Sequence, residues 1–448
     1  MKQRMKRQEN HILGMFAKYA SLNVLGMLGL SCYIMADTFF IAQGMGVNGL
    51  TALNLAIPIY SFIHGAGLML GMGGATRFSI LKGRGEPKNT DKVFSQSVIY
   101  SLLLSCIFFI IGLFFATPLS KLLGADDVTL NMTSVYLRII LLFAPFFMLN
   151  NVVNCFVRND GNPKLSMIAM ITGSLSNVVL DYIFIFPLGW GMFGAAFATG
   201  LAPIISLSLL SLHFIKKKNT IQFKKIRLQI KSFMDICALG SSSLIMELSS
   251  GIVMLVFNFI ILRLEGNIGI AAYGVIANIA LVIVGIFTGI SQGIQPIISR
   301  NHGTGNTMNI KKTFRYAIIT AVSFGLVIYG LIVVYAEQII SIFNKEQNQM
   351  LIEIASVGLK IYFAALVLVG INMISAVFFS SVDKAAYSFG ISILRGFVII
   401  IPMAFLLSSI FAMTGVWLAF SITEVLTFLC TILLFVLYKK RNKRRNLS

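Results

Sequence analysis

The sequence predicts an all-α integral membrane protein: twelve transmembrane helices in two pseudo-twofold-related six-helix bundles around a central cavity. Three observations predict it. The 448 residues are 57% hydrophobic and 12% charged, with a mean hydropathy of +0.86, whereas a soluble domain carries roughly 25% charged residues. Twelve apolar runs are each long enough to cross ~30 Å of hydrocarbon, which takes about 20 helical residues. The first half of the chain also recurs in the second at a constant offset.

The first six runs cover 17–42, 50–81, 93–117, 129–157, 165–188 and 193–215; the second six cover 233–262, 271–299, 314–336, 351–380, 387–409 and 414–438. Open strands leave backbone groups unpaired in lipid, and the runs lack the two-residue alternation of a membrane barrel. SILKGRG (79–85), followed by Lys92 and Phe94, matches SRNHGTG (299–305), followed by Lys312 and Phe314, at an offset of 220. Gly65 and Gly73 pair with Gly285 and Gly293 at the same offset, while Asn151 pairs with Asn372 and Gly194 with Gly415 at 221. An even number of spans per repeat gives both halves one orientation, as in transporters whose substrate lies between parallel repeats. The expected organisation is an N-terminal lobe (1–215), a basic linker (216–232) and a C-terminal lobe (233–448). The linker, KKKNTIQFKKIRLQIK over 216–231, is long enough to let the lobes rock.

The formal net charge of +20 is not spread evenly. It gathers in MKQRMKR, in the linker and in YKKRNKRR, beside apolar spans, as the positive-inside rule requires of cytoplasmic segments. Both termini are therefore expected in the cytoplasm, on a multi-pass protein of the cell membrane. The loops on the other side hold only Lys121, Arg263 and Lys345. Attraction of the basic clusters to anionic lipid is secondary, and nucleic acid is not an expected partner. The five cysteines show no paired spacing, so disulfides, zinc sites and a catalytic thiol are not expected. The four histidines form no metal cluster or nucleophile–base set, so the chain does not read as an enzyme. No cofactor is implied beyond a coupling ion.

Four acidic residues fall well inside predicted spans: Asp37, Asp181, Glu247 and Glu424. A charge at the centre of a spanning helix costs between ~2.5 and ~17 kcal/mol, so such residues usually serve a polar pathway. In LSNVVLDYIFIF (175–186), Asn177 precedes Asp181 by one turn on the same face. Asp37 lies in SCYIMADTFF, one turn after Tyr33, and Thr199 follows the small residues Gly194-Ala195-Ala196. Two carboxylates, an amide and a hydroxyl brought together make an oxygen-lined site for Na⁺ or H⁺; alternatively Asp181 only ties helices together through Asn177. Glu247 either attracts a cationic substrate, carries a proton, or pairs with Arg395 or a hydroxyl. Arg395 and Glu424 are expected to form a structural ion pair. His64 reads as a hydrogen-bonded helix residue.

The stretches ADTFFIAQGMG, LGMGGATRFSILKGRGE, SNVVLDYIFIFPLGWGMFGAAFATG and GVWLAFSITEVL, in this order, resemble the multidrug and toxin extrusion (MATE) family over nearly the whole chain. The resemblance is to a prokaryotic member. It implies an antiporter that expels organic, often cationic and lipophilic, compounds by alternating access while Na⁺ or H⁺ runs inward; a monomer is the default expectation. It places cation ligands at Asp37, Asn177, Asp181 and Thr199 and an acid of helix 7 at Glu247. Asn372 stands near an acid that some members carry in helix 10, and Tyr33 and Asn372 join Glu247 as candidate substrate or proton residues. Many members begin helices 1 and 7 with proline; here YASLNVLG and ALGSSSLI have none, so any bend in helix 1 falls to Gly26 or Gly29. A rival reading is a flippase for lipid-linked or amphipathic substrates, which favours a cationic cavity for phosphates.

Overall fold

The computed structural model describes residues 2–343 and 348–445, with side chains over 11–343 and 348–440. Lys345 lies outside the described residues. No strand occurs among them. Eight continuous helical runs are long and apolar enough to span a membrane, nine when Leu130–Leu142 and Ala144–Asn159, bent by 47°, count as one. Three of these runs reverse at a single residue of positive φ: Gly46 (64°), Gly266 (61°) and Ala412 (49°). Divided there, they give the expected twelve. These are α1 (2–45), α2 (47–84), α3 (Pro87–Phe114), α4 (130–159, bent at Phe143), α5 (Pro163–Ile185) and α6 (Gly191–Ile215). The second set is α7 (230–265), α8 (267–303), α9 (Thr307–Phe343), α10 (Gln349–Ser381), α11 (385–411) and α12 (413–445).

Side chains flanking the two glycine breaks show the reversal. The Tyr33 and Tyr60 hydroxyls lie 2.9 Å apart across Gly46, and the Phe257 and Tyr273 rings lie 5.5 Å apart across Gly266. The breaks obey the repeat: Gly46 and Gly266 differ by 220, and Ala412 stands 221 after Gly191, whose φ is 54°. Glycine adopts positive φ freely, whereas a residue with a Cβ pays about 1–3 kcal/mol.

Each half has its own apolar core, but the first helix of each half crosses over. Phe16 and Ala20 of α1 belong to the core of the second half, and Ile236 of α7 belongs to that of the first. The repeated glycines permit this exchange. A Cβ on Gly73 of α2 would lie 2.0 Å from the Ile236 carbonyl oxygen, and one on Gly293 of α8 would lie 2.8 Å from the Ala20 Cα. Gly83 and Gly303 meet near the ends of α2 and α8, where a Cβ on either would sit within 2.3 Å of a carbonyl oxygen of the other helix. In lipid, helices gain little from burying apolar surface, so close backbone approach supplies much of the adhesion.

The linker is tied down by side chains of the first bundle. Over 219–229 it forms neither helix nor strand. Asp91 of α3 accepts from the Gln222 amide (2.9 Å) and pairs with Lys224 (2.5 Å). Ser95 accepts from the Lys224 amide (2.9 Å), and the Tyr100 hydroxyl donates to the Gln229 carbonyl (2.9 Å). These side chains satisfy backbone groups that no strand partner satisfies. Asp160, in the α4–α5 loop, is the deepest anchor. Its unexposed carboxylate accepts from Lys82 Nζ (2.6 Å), His213 Nε2 (2.9 Å), the Thr220 amide (2.7 Å) and the Thr220 hydroxyl. Burial by itself raises a carboxyl pKa, but the donors from His213, Lys82 and Thr220 outweigh it and hold Asp160 below the ordinary carboxylate range.

Two outcomes follow. Ala412→Gly should raise thermal stability in detergent by about 0.5–1 kcal/mol, and Gly191→Ala should lower it by at least as much. Asp160→Asn should cost about 3–5 kcal/mol at neutral pH, because it leaves buried donors without their carboxylate, and should open 219–229 to limited proteolysis. The folded pKa of Asp160 is depressed, so its stabilisation is complete above the unfolded value of about 3.9 and fades as pH falls through the folded one. The wild type and Asp160→Asn should therefore converge in stability only below about pH 4.

Candidate functional site

The four residues expected to form a cation site come together in the first bundle. Asp37 lies in the part of α1 away from the basic loops, Asn177 and Asp181 on one face of α5, and Thr199 on α6; all four are buried. The Asp37 and Asp181 carboxyl groups are in hydrogen-bond contact. The Asn177 amide is oriented by its partners: its NH₂ donates to Asp181 Oδ2 (3.0 Å) while its oxygen accepts from the Thr199 hydroxyl (3.3 Å) and amide (3.2 Å). Asp37 Oδ1 and Asp181 Oδ1 have no hydrogen-bond partner. Two carboxyl groups in contact resist joint ionisation, so the pair needs a proton or a cation. The two atoms left over are carboxylate oxygens, the ligand type a hard cation prefers. No group of three or more His, Cys, Asp or Glu side chains disposed to hold a metal occurs among the described residues.

Sequence reasoning missed Tyr136. It projects from α4 into the same cluster, buried, with its hydroxyl at Thr199. Its only sequence signal is a hydroxyl within an apolar helical stretch, which many packing tyrosines share.

A polar and aromatic row leads from this cluster to the second half. Tyr33 meets Tyr60, whose ring stacks on His64 at 5.9 Å. His64 Nδ1 lies 3.4 Å from Glu247 Oε2. The partner of Glu247 is thus His64 on α2, across the bundle interface, and not Arg395. The Glu247 side chain remains 34% exposed. In the second bundle Arg395 and Glu424 form the expected pair, Nε to Oε1 at 2.5 Å. Asn372 sits here and not beside Glu247: its amide donates to Glu424 Oε2 (2.8 Å) and to the Glu424 carbonyl (3.0 Å).

A ladder of amides joins the bundles at their basic end. Arg158, on the last turn of α4, is fully buried and reads in sequence only as one of the loop cations. Its Nη1 donates to Asn23 Oδ1 on α1 (2.8 Å) and to Gln292 Oε1 on α8 (2.7 Å). Asn159 Nδ2 donates to Gln295 Oε1 (2.9 Å), and Gln295 Nε2 donates in turn to the Thr76 hydroxyl (3.0 Å). Helix α1 keeps helical geometry throughout; Gly26 and Gly29, the candidate bend points, lie against Met170 and Ile171 of α5.

The MatE family model matches residues 23–183 and 243–406. Among curated proteins, the multidrug export protein MepA of Staphylococcus haemolyticus is 29% identical over 439 residues, covering 97% of this chain and 95% of that protein. MepA of Staphylococcus saprophyticus is 28% identical over 420 residues, covering 93% and 92%. An outward-facing multidrug resistance transporter of the MOP superfamily superposes with a TM-score of 0.89 at 24% identity, covering 96% of each chain. A MOP superfamily transporter from Pyrococcus furiosus superposes at 0.86, with 24% identity and 94% of each chain covered. At such identity these two likenesses concern the fold.

Asn177 donates to Asp181 through its amide. Asn177→Leu should lower thermal stability by about 1–3 kcal/mol, the usual penalty for orphaning a buried polar group, whereas Ser176→Ala, on the half-exposed side of α5, should leave the melting curve unchanged.

Proposed function

The chain belongs to the MatE family, and from that premise we propose that it is a multidrug exporter of the cell membrane, driven by inward Na⁺ or H⁺. It would take up organic, cationic and lipophilic compounds and release them outside by alternating access, with its basic end in the cytoplasm and as a monomer. One observation carries the coupling: two buried carboxyl groups touch, each with an oxygen that no side chain satisfies. Such a pair binds a cation or proton more readily than it stays empty.

Helix α1 supplies the link from ion to gate. Asp37 lies on it 14 residues from Asn23, about 21 Å along a helix. Around Asn23, α1 grips Arg158 and lies on Gly289 and Gly293 of α8. Ion binding at Asp37 and Asp181 removes the repulsion between α1 and α5, and any resulting shift of α1 acts on the basic-end ladder. The ion biases the two states only by its differential affinity for them. Glu247 and the Tyr60 face offer a cationic guest both charge and π-surface, which supports an organic cation over the phosphate of a flippase substrate.

Asp37→Asn and Asp181→Asn should each abolish ion-driven ethidium efflux from proteoliposomes while the protein still folds and inserts. Comparing efflux with and without Na⁺ at fixed pH separates the two coupling ions. Wild-type rates in the double variant would refute the proposal.

A further inference from the structure

The second bundle carries a polar cluster on the helices that correspond to those of the first. The 221-residue offset that pairs Asn151 with Asn372 also pairs α4 with α10, α5 with α11 and α6 with α12. Arg395 takes the place of Ser174, one turn before Asn177 on α5; Glu424 takes the place of Pro203, one turn after Thr199 on α6. Asn372 comes from α10, the counterpart of the α4 that supplies Tyr136. Both clusters draw on the α4, α5 and α6 positions of the repeat: Arg395 and Glu424 stand one turn nearer the basic end than Asn177 and Thr199, whereas Asn372 matches Asn151 and not Tyr136, and Asp37 of α1 has no counterpart among them.

Their oxygen groups also correspond. The first has carboxyl groups, the Asn177 amide and the Thr199 hydroxyl; the second has the Glu424 carboxylate, the Asn372 amide and the Thr431 hydroxyl, which donates to Asn372 Oδ1 at 3.3 Å. The difference is the positive charge. No Lys or Arg bonds to Asp37 or Asp181 among the described residues, and both keep an unpaired oxygen. Glu424 has both oxygens engaged, one by Arg395 and one by Asn372. A π-helical turn over Leu394–Val398 carries Arg395, a distortion common at functional sites. That turn is seated on α7: a Cβ on Gly396 would lie 2.6 Å from the Ser249 Cβ. Beside it, Ser249, Ser392 and Arg395 line a cavity of about 10 Å³, space for about one water.

We propose that Arg395 is a tethered cation filling the second bundle's counterpart of the first-bundle ion site, so that only the first bundle exchanges a mobile cation or proton with solution. The comparison rests on the coupling role proposed for Asp37 and Asp181. A guanidinium keeps its charge at any physiological pH, so Glu424 always has a countercharge and takes up nothing during the cycle. Removing the tether turns the second cluster into a vacant carboxylate–amide–hydroxyl site, which a free cation or a proton should then fill.

The test is thermal unfolding of the full-length protein in detergent, with Asp37→Asn/Asp181→Asn as background to silence the first site. One arm exchanges choline for Na⁺ at pH 8; the other lowers pH from 8 to 6 in choline. Adding Arg395→Met should lower Tm in choline at pH 8, and Na⁺ or acid should then raise it by about 3 °C or more. The arm that responds identifies the ion. Arg395→Lys, and Arg395→Met combined with Glu424→Gln, should show no such rise. An Arg395→Met protein indifferent to both arms, or unfolded under every condition, overturns the proposal. If the response appears in this background while wild-type efflux proves insensitive to both ions, the first-bundle reading fails and the tethered cation stands.

Discussion

Everything in the first bundle turns on two carboxyl groups placed in contact where water is scarce. In a soluble core a polar side chain has backbone or ordered water within reach; between lipid-embedded helices the available partners are those the neighbouring helices bring. Asp181 is supplied by Asn177, and Asn177 by Thr199, but one oxygen of each acid is left over. Two carboxyl oxygens thus stay without a partner inside the bundle, a costly arrangement for a spanning segment.

Helix α1 connects this cluster to the second half. That helix belongs to both bundles: near one end it carries Asp37 against α5, and near the other it enters the apolar core of the second half. Its counterpart α7 does the reverse, entering the first core through Ile236 and presenting Glu247 to His64 of α2. Small residues make both crossings possible, since helix backbones meet where a side chain would collide. At the basic end the closure relies on neutral amides around the buried Arg158 guanidinium, with no carboxylate at hand among the described residues. A buried charge held by neutral dipoles leaves part of its desolvation cost uncompensated. The linker adds rigidity on one side only, being fastened along α3.

The duplicated architecture has thus diverged in charge and not in plan. Helices α10, α11 and α12, the counterparts of α4, α5 and α6, hold the same kinds of group at different positions, with an arginine on the carboxylate where the first cluster has none among the described residues. A site completed by its own chain gains stability and gives up exchange; a site left short of a charge does the opposite.

The class, the twelve spans, the repeat and the four-residue acidic cluster were legible from residues 1–448 alone. Hydrocarbon thickness dictates run length, the desolvation of charge singles out Asp37 and Asp181, and helical periodicity places Asn177 beside Asp181. The partners that come from distant helices were not legible. Tyr136 joins the cluster, His64 reaches Glu247, Arg158 meets Asn23 and Gln292, and the linker lies on α3 because of how helices cross, and crossing depends on which glycines of α2 and α8 receive α7 and α1. Local sequence records the cost of a buried polar group; only tertiary packing decides which neighbour meets that cost.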